Sequence, residues 1–70
     1  MNENYPWFNG ASRRFCLGEK EFHCGDCFKV KVAGAWHDVR IELAAGNWYL
    51  VGVPPGASSD PGAHPAALYD

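Results

Sequence analysis

Three features of the sequence predict a small all-β protein, built as an antiparallel meander or an SH3-like curled sheet. Segments 27–32 and 35–43 alternate between apolar and polar residues, which is the pattern of strands with one buried face. Glycine-containing turn signals separate these segments from each other and from the apolar segment 48–53. No long segment has the 3.6-residue periodicity of an amphipathic helix.

The first part of the chain is predicted to cover this sheet. Residues 1–12 are expected to form a loosely attached arm whose aromatic side chains dock on the core: Tyr5, Trp7 and Phe8. Residues 13–17 are predicted to form a short strand, and Gly18 marks the turn that follows. A three-stranded meander needs such a cover over its apolar face.

A two-residue turn at Ala33-Gly34 sets the register of the first predicted hairpin, because only a consistent register puts the apolar residues of both strands on one face. The predicted inward pairs are Val32–Ala35, Val30–His37 and Phe28–Val39. The predicted outward pairs are Lys31–Trp36 and Lys29–Asp38.

A turn at Ala45-Gly46 sets the second hairpin in the same way. Its predicted inward pairs are Leu43–Trp48 and Ile41–Leu50. Its predicted outward pairs are Glu42–Tyr49 and Arg40–Val51. Together the two hairpins form the meander, and residues 13–53 are the predicted β domain.

Residues 54–70 differ in composition, with four prolines, two glycines and no lysine or arginine. Such a segment buries little apolar surface and is predicted to be a flexible tail. A docking peptide or an added edge strand is the alternative.

Size and charge limit the function classes. The chain has 70 residues and a formal net charge of −2, whereas general nucleic-acid-binding proteins are usually basic. No apolar run approaches the roughly 20 residues that span a membrane, and no signal segment is visible at the start. Three cysteines fit a reducing compartment better than a disulfide scaffold. We expect a cytoplasmic protein.

The stretch EFHCGDCF at 21–28 raises the question of a metal or redox site. A structural zinc needs four ligands, and the candidates are Cys16, Cys24, Cys27 and either His23 or His37. Only one C-x-x-C pair is present, and no helix follows it to lower a thiol pKa as in redox motifs. We expect a turn flanked by packed thiols and no cofactor; zinc binding and a redox pair are the alternatives.

The sequence predicts a protein that is not an enzyme. The pair Ser58-Ser59 has no nucleophile-elbow motif around it, and no glycine-rich phosphate loop occurs. A Cys-His pair would still need an orienting group and an oxyanion pocket.

The outward face of the sheet is the predicted binding site, because it combines tryptophan, tyrosine and arginine, the residues enriched at interface anchors. The candidate residues are Lys31, Trp36, Asp38, Arg40, Glu42 and Tyr49. The alternative is a solvated face with ordinary cross-strand pairs, in which Lys31 lies over Trp36 and Lys29 pairs with Asp38.

Three motifs carry a resemblance to a known family: H-C-G at 23–25, W-x-x-x-R-I-E at 36–42 and G-x-W-Y-L-V-G at 46–52. Over about residues 13–53 the chain resembles a domain of unknown function in short proteins of bacterial chromosomes, phages and plasmids. The resemblance implies no activity. Members of the resembled family carry a further short β segment after the last motif, and this chain departs from that pattern with its segment rich in proline, glycine and alanine.

By type, a small near-neutral β domain without a catalytic set also resembles phage-encoded inhibitors such as anti-CRISPR proteins. This resemblance implies binding to a host CRISPR effector or another nuclease complex in the bacterial cytoplasm, with DNA binding or nuclease recruitment blocked. The alternative is a nucleic-acid-binding or zinc-associated accessory module with phosphate contacts from surface lysines and arginines. A homodimer that covers the open sheet edge is a further option.

Overall fold

The computed structural model of the protein describes residues 4–69, and this part of the chain is all-β, as predicted. Met1 to Glu3 of the predicted arm and Asp70 of the predicted tail lie outside the described residues. Seven strands are present in residues 4–69: β1 (Trp7–Asn9), β2 (Arg14–Leu17), β3 (Lys20–Glu21), β4 (Cys27–Val32), β5 (Ala35–Ala44), β6 (Asn47–Val51) and β7 (Ala66–Ala67). The described residues include no helix of a length and hydropathy that could cross a membrane.

The larger sheet has four antiparallel strands in the order β6-β5-β4-β7, and it contains the predicted meander. Every predicted cross-strand pair of the two hairpins is observed. Both hairpin turns have positive φ at their two central residues, with Ala33 at 51° and Gly34 at 82°, and Ala45 at 52° and Gly46 at 79°. These are the angles of type I′ turns, whose twist matches that of the adjoining strands.

A smaller three-stranded sheet, in the order β1-β2-β3, covers the apolar face of the larger one. The predicted strand 13–17 is therefore present as β2. Part of the predicted loose arm is in fact β1, which pairs with β2 through Trp7–Cys16, Phe8–Phe15 and Asn9–Arg14. Main-chain pairing, in addition to aromatic docking, attaches this segment to the domain.

The core lies between the two sheets. Phe22 and Phe28 are fully buried, and their rings stack with centroids 4.3 Å apart. The remaining buried members of the cluster are Leu17, Val30, Val39, Ile41, Leu50 and Ala66. With so few large side chains available, this aromatic pair is a major part of the buried apolar surface.

Leu43 departs from the predicted inward set. It faces inward in the register, opposite Trp48, yet 43% of it remains exposed. The pair lies near the β5–β6 turn, one position before the Ala44–Asn47 pair that closes it, and the smaller sheet covers it only in part. Trp48 is half-buried and packs against the core.

The segment after Pro54 packs on the sheet, in contrast to the predicted flexible tail. The Leu50 amide donates to the Ser59 carbonyl at 2.8 Å, Pro61 is fully buried, and β7 pairs with β4. The edge strand that the sequence left as an alternative is therefore present. Prolines restrict the unfolded chain and so lower the entropy cost of ordering this segment.

Candidate functional site

The outer face of the larger sheet brings the six predicted binding residues onto one surface. Strict alternation along β4, β5 and β6 points them away from the core. Directly opposite pairs join Lys31 to Trp36 and Glu42 to Tyr49, while Asp38 and Arg40 lie between these pairs on β5. We call this surface, together with Lys29, Val51 and Tyr69, the outer face.

A lysine between two aromatic rings is the centre of the outer face. The Lys29 Nζ lies 5.9 Å from the ring centroid of Trp36 and 5.8 Å from that of Tyr69. The alternative of ordinary cross-strand pairs put Lys31 over Trp36, which it pairs with directly, whereas the contact of Lys29 with Trp36 is diagonal. Diagonal neighbours on one sheet face are within reach of long side chains. The two rings hold the ammonium group of Lys29 in a defined position.

Tyr69 extends the outer face with a residue from beyond β7. Because Ala67 pairs with Lys29, the alternation that continues from Ala67 places Tyr69 on the same face. Its hydroxyl donates a short hydrogen bond to the Asp38 carboxylate. That bond, with partial desolvation and the negative charges of Asp38 and Cys27, raises the pKa of Tyr69 from 10.0 to about 12.

Sequence reasoning missed Lys29 and Tyr69 as members of the site. Tyr69 lies in the segment predicted to be flexible, so no local pattern placed it near β5. The available signal was the short apolar run Ala66 to Tyr69, which follows Pro65 and matches the additional β segment implied by the family resemblance. The alternation placed Lys29 on the correct face. Direct cross-strand pairing, however, gave Asp38 as its partner, whereas its side chain lies near the rings of Trp36 and Tyr69.

Arg40 and Glu42 form an ion pair along β5, with 2.5 Å between the Arg40 Nε and the Glu42 Oε2. They lie two residues apart and therefore on the same face. The pair is largely exposed, so it contributes at most about 1 kcal/mol to stability. Its effect on the site is to orient the guanidinium along the strand.

A shallow depression of about 360 Å³ lies beside this ion pair and is open to solvent. The lining residues include Cys27, Asp38, Arg40, Val51, Gly52 and Tyr69. Glycine is required at position 52, because an added Cβ would lie 2.7 Å from the Asp38 carbonyl oxygen. A depression with apolar walls and two charged groups is suited to one side chain of a protein partner.

The EFHCGDCF stretch forms the predicted turn, but neither of its two thiols is packed. The Asp26 carboxylate accepts from the His23 amide at 2.8 Å, and the His23 carbonyl accepts from the Asp26 amide at 3.0 Å. Cys24 and Cys27 are exposed, and of the three cysteines only Cys16 is buried. Cys27 faces outward because it alternates with the buried Phe28 along β4, and Cys24 lies in the turn at which Gly25 adopts a φ of 89°.

The other predicted metal candidates do not converge in the described part of the chain. Within residues 4–69 no group of three or more His, Cys, Asp or Glu side chains could hold a metal ion. His37 is half-buried and lies near the loop Pro54-Pro55, where it lines an open depression with apolar neighbours.

Comparisons with known proteins agree with this architecture. A crystal structure of a protein from Ruminococcus gnavus is similar to the chain at a TM-score of 0.74 and 29% identity, covering 96% of this chain and 100% of that one. No curated protein matches the chain. Residues 7–64 match the family described as DUF5348, a domain of unknown function, and the match includes β1 and much of the segment after Pro54. The chain belongs to the DUF5348 family.

Proposed function

We propose that the protein is a non-enzymatic binding module that recognises a protein partner through the outer face. The observation that supports this most strongly is the cluster of exposed large side chains on one sheet surface: Trp36, Tyr49, Val51 and Tyr69. Several large exposed side chains on one face, interspersed with charges, are typical of interaction sites in small domains. Tryptophan, tyrosine and arginine are also the residues that dominate binding energy at interfaces.

Contacts within the outer face favour recognition over simple solvation. Lys29 is held between two rings, Tyr69 is hydrogen-bonded to Asp38, and Arg40 is paired with Glu42. Side chains that are already ordered lose less conformational entropy when a partner binds. The face is therefore preorganised for binding, with aromatic anchors surrounded by oriented charges.

The specific proposal is that the protein is an inhibitor of the anti-CRISPR type, encoded by a phage or another mobile element. It would bind a host CRISPR effector or another nuclease complex and occlude its DNA-binding or nuclease-recruitment surface. The support is the small size and the net charge of −2. The chain as a whole is acidic and so would be attracted to the basic surfaces on which nucleases bind DNA. The outer face, with Lys29, Lys31 and Arg40 beside Asp38 and Glu42, offers charges of both signs for the contacts.

A pull-down with matched tryptophan variants tests the binding face. Trp36 on the outer face and Trp7 on the smaller sheet are both 48% exposed, so their replacement by alanine removes similar exposed surface from opposite sides. The tagged protein is incubated with nuclease-treated lysate of a bacterium that expresses a CRISPR effector complex, and bound proteins are identified by mass spectrometry. We expect wild type and Trp7→Ala to retain the effector and Trp36→Ala to lose it.

A phage-plating assay tests the inhibitor role itself. A CRISPR-immune strain that expresses the protein should become sensitive to the targeted phage, and the Trp36→Ala variant should restore immunity. Retention of immunity across effector subtypes would refute the anti-CRISPR proposal. Retention of a partner by Trp36→Ala would refute the outer face as the binding site.

Lys29 between Trp36 and Tyr69 also supports a second candidate function, binding to single-stranded nucleic acid. Bases stack on exposed aromatic rings, and a neighbouring cation contacts the phosphates. This function predicts binding to an oligonucleotide that weakens steeply as salt is raised. Loss of the captured partner after nuclease treatment would favour it over the protein-binding module.

A further inference from the structure

A groove lies at the end of the core where the turns of the two sheets meet. It has a volume of about 340 Å³ and is lined by Phe8, Arg13, Leu43, Gly46 and Trp48. Leu43 and Trp48 belong to the inward register of the β5–β6 hairpin, so the groove is on the opposite face of that hairpin from the outer face. We call it the Trp48 groove.

The apolar walls of the Trp48 groove are held in place by contacts to neighbouring residues. Phe8 is half exposed and makes an edge-to-face contact with Phe15, with ring centroids 5.4 Å apart. The Trp48 Nε1 donates to the Arg13 carbonyl at 3.0 Å and so links the two sheets across the groove. The groove is therefore preformed, with exposed apolar surface contributed by both sheets.

The charge of the Trp48 groove is entirely positive. Arg13 lines it, and within residues 4–69 the Arg13 guanidinium has no hydrogen-bond acceptor or ion-pair partner. The Arg14 Cζ lies 6.0 Å from the Trp48 ring centroid. None of the lining residues is acidic. Arg14 does not line the groove, and its Nη1 donates to the Phe22 carbonyl at 3.4 Å. Arg13 makes the apolar groove complementary to a carboxylate, which guanidinium groups bind in a planar, bidentate manner.

The edge of β6 beside the groove indicates the form of the ligand. The Leu50 amide points away from β5, because it donates to the Ser59 carbonyl. The Trp48 amide, two residues earlier in the same strand, points the same way and has no acceptor within residues 4–69. An extended peptide could accept this hydrogen bond while its side chain enters the groove, as in strand addition to a sheet edge.

We propose that the Trp48 groove binds an extended peptide segment in which a large apolar side chain stands beside a carboxylate. The groove volume is at the low end of ligand pockets, which hold roughly 300–1,000 Å³, and so suits a single side chain better than a whole cofactor. The apolar side chain packs between Phe8 and Leu43, and the carboxylate pairs with Arg13.

The tryptophan indoles give a direct test with short peptides. Trp7, Trp36 and Trp48 each give one indole N–H signal in a nitrogen-15 spectrum, and only Trp48 belongs to the groove. The probes are acetyl-Glu-Phe-Glu-amide, acetyl-Lys-Phe-Lys-amide and acetyl-Glu-Ala-Glu-amide at millimolar concentration. We expect the first peptide to shift the Trp48 signal and leave the Trp36 signal unchanged. The basic and alanine peptides should bind about tenfold more weakly or not at all.

Arg13→Asn isolates the charge without disturbing the backbone. Arg13 adopts a φ of 60°, and asparagine tolerates this left-handed region better than other non-glycine residues. We expect the variant to fold as wild type and to bind the acidic peptide about tenfold more weakly. Trp36→Ala is the matched control and should bind it as wild type does.

Three results would overturn the proposal: an unmoved Trp48 signal, equal binding of the acidic and basic peptides, or unchanged affinity of Arg13→Asn. A shift confined to Trp36 would place the peptide on the outer face. That result would leave the proposed protein-binding function intact while removing the groove as a site.

Discussion

The Tyr69 hydroxyl donates a hydrogen bond to the Asp38 carboxylate and ties the segment after β7 to the middle of β5. The carboxylate stabilises the protonated phenol and repels a phenolate, which raises the pKa of Tyr69 from 10.0 to about 12. The same contact holds in place one of the two rings that flank Lys29, so the pKa of Tyr69 reports on the integrity of the outer face.

Replacing Asp38 by Asn is expected to lower the pKa of Tyr69 toward 10.0, because a neutral amide does not repel the phenolate. The measurement is an NMR titration of the tyrosine ring carbons, in which Tyr69→Phe identifies the relevant signal. Tyr5 and Tyr49 serve as internal references in the same spectra. A Tyr69 pKa that is unchanged in Asp38→Asn would show that the hydrogen bond is absent in solution.

The pKa of Tyr69 also sets the pH range in which this bond stabilises the fold. Since the folded value exceeds the unfolded one, the contribution is complete below pH 10.0 and is lost as the pH rises through about 12. We therefore expect Tyr69→Phe to have a lower Tm than wild type at neutral pH, with a difference that shrinks above pH 10.0. A difference that persists undiminished to about pH 12 would point to lost packing instead.

Two leucines of the meander should respond differently to truncation. Leu50 is 4% exposed and belongs to the core, whereas Leu43 is 43% exposed at the Trp48 groove. Leu50→Ala is expected to lower the free energy of unfolding by about 2–5 kcal/mol, the usual cost of a buried leucine. Leu43→Ala should lower the free energy of unfolding by well under half of the loss caused by Leu50→Ala. Urea denaturation measures both, and equal losses would contradict the partial cover of the Leu43–Trp48 pair.

The sequence predicted the parts of the fold that depend on local patterns. Alternating residues and two glycine turns were sufficient to give the register of β4, β5 and β6, because a slip by one residue would expose the apolar side chains. The six predicted outer-face residues follow from that register. The exposure of Leu43 was not predictable in this way, since it depends on how far the smaller sheet extends over the larger one.

The remaining differences involve contacts between segments far apart in the chain. The pairing of β7 with β4, and the position of Tyr69 beside Asp38, depend on a proline-rich segment whose composition is typical of disorder. The exposure of Cys24 depends on the backbone of the turn, which composition does not specify, whereas that of Cys27 follows from the alternation along β4. The contact of Lys29 with Trp36 is diagonal, and alternation alone does not determine which of two neighbours on the same face a long side chain contacts.

Gly52→Ala should be more damaging than alanine at a glycine in open space. At Gly52 the φ is 106° and the added Cβ would lie 2.7 Å from the Asp38 carbonyl oxygen. Gly56 has a similar strained φ of 85° but no atom within 4 Å of the added Cβ. We expect Gly56→Ala to cost about 1–2 kcal/mol from strain alone and Gly52→Ala to cost clearly more. Thermal unfolding of both variants compares them, and equal Tm values would contradict the close approach.

Amide exchange distinguishes a packed final segment from a flexible tail. The Leu50 amide donates to the Ser59 carbonyl and the Lys31 amide to the Pro65 carbonyl, both at 2.8 Å. We expect both amides to exchange slowly in the full chain, because opening these two hydrogen bonds requires residues 54–69 to detach.

In a chain that ends at Val53, these two amides should exchange faster than the Ile41 amide, which bonds to the Asp26 carbonyl within the retained part. The shortened chain should also lose stability, because Pro61 and Ala66 are buried. Fast exchange of Leu50 and Lys31 in the full chain, with Ile41 protected, would instead support the flexible tail that the composition predicts.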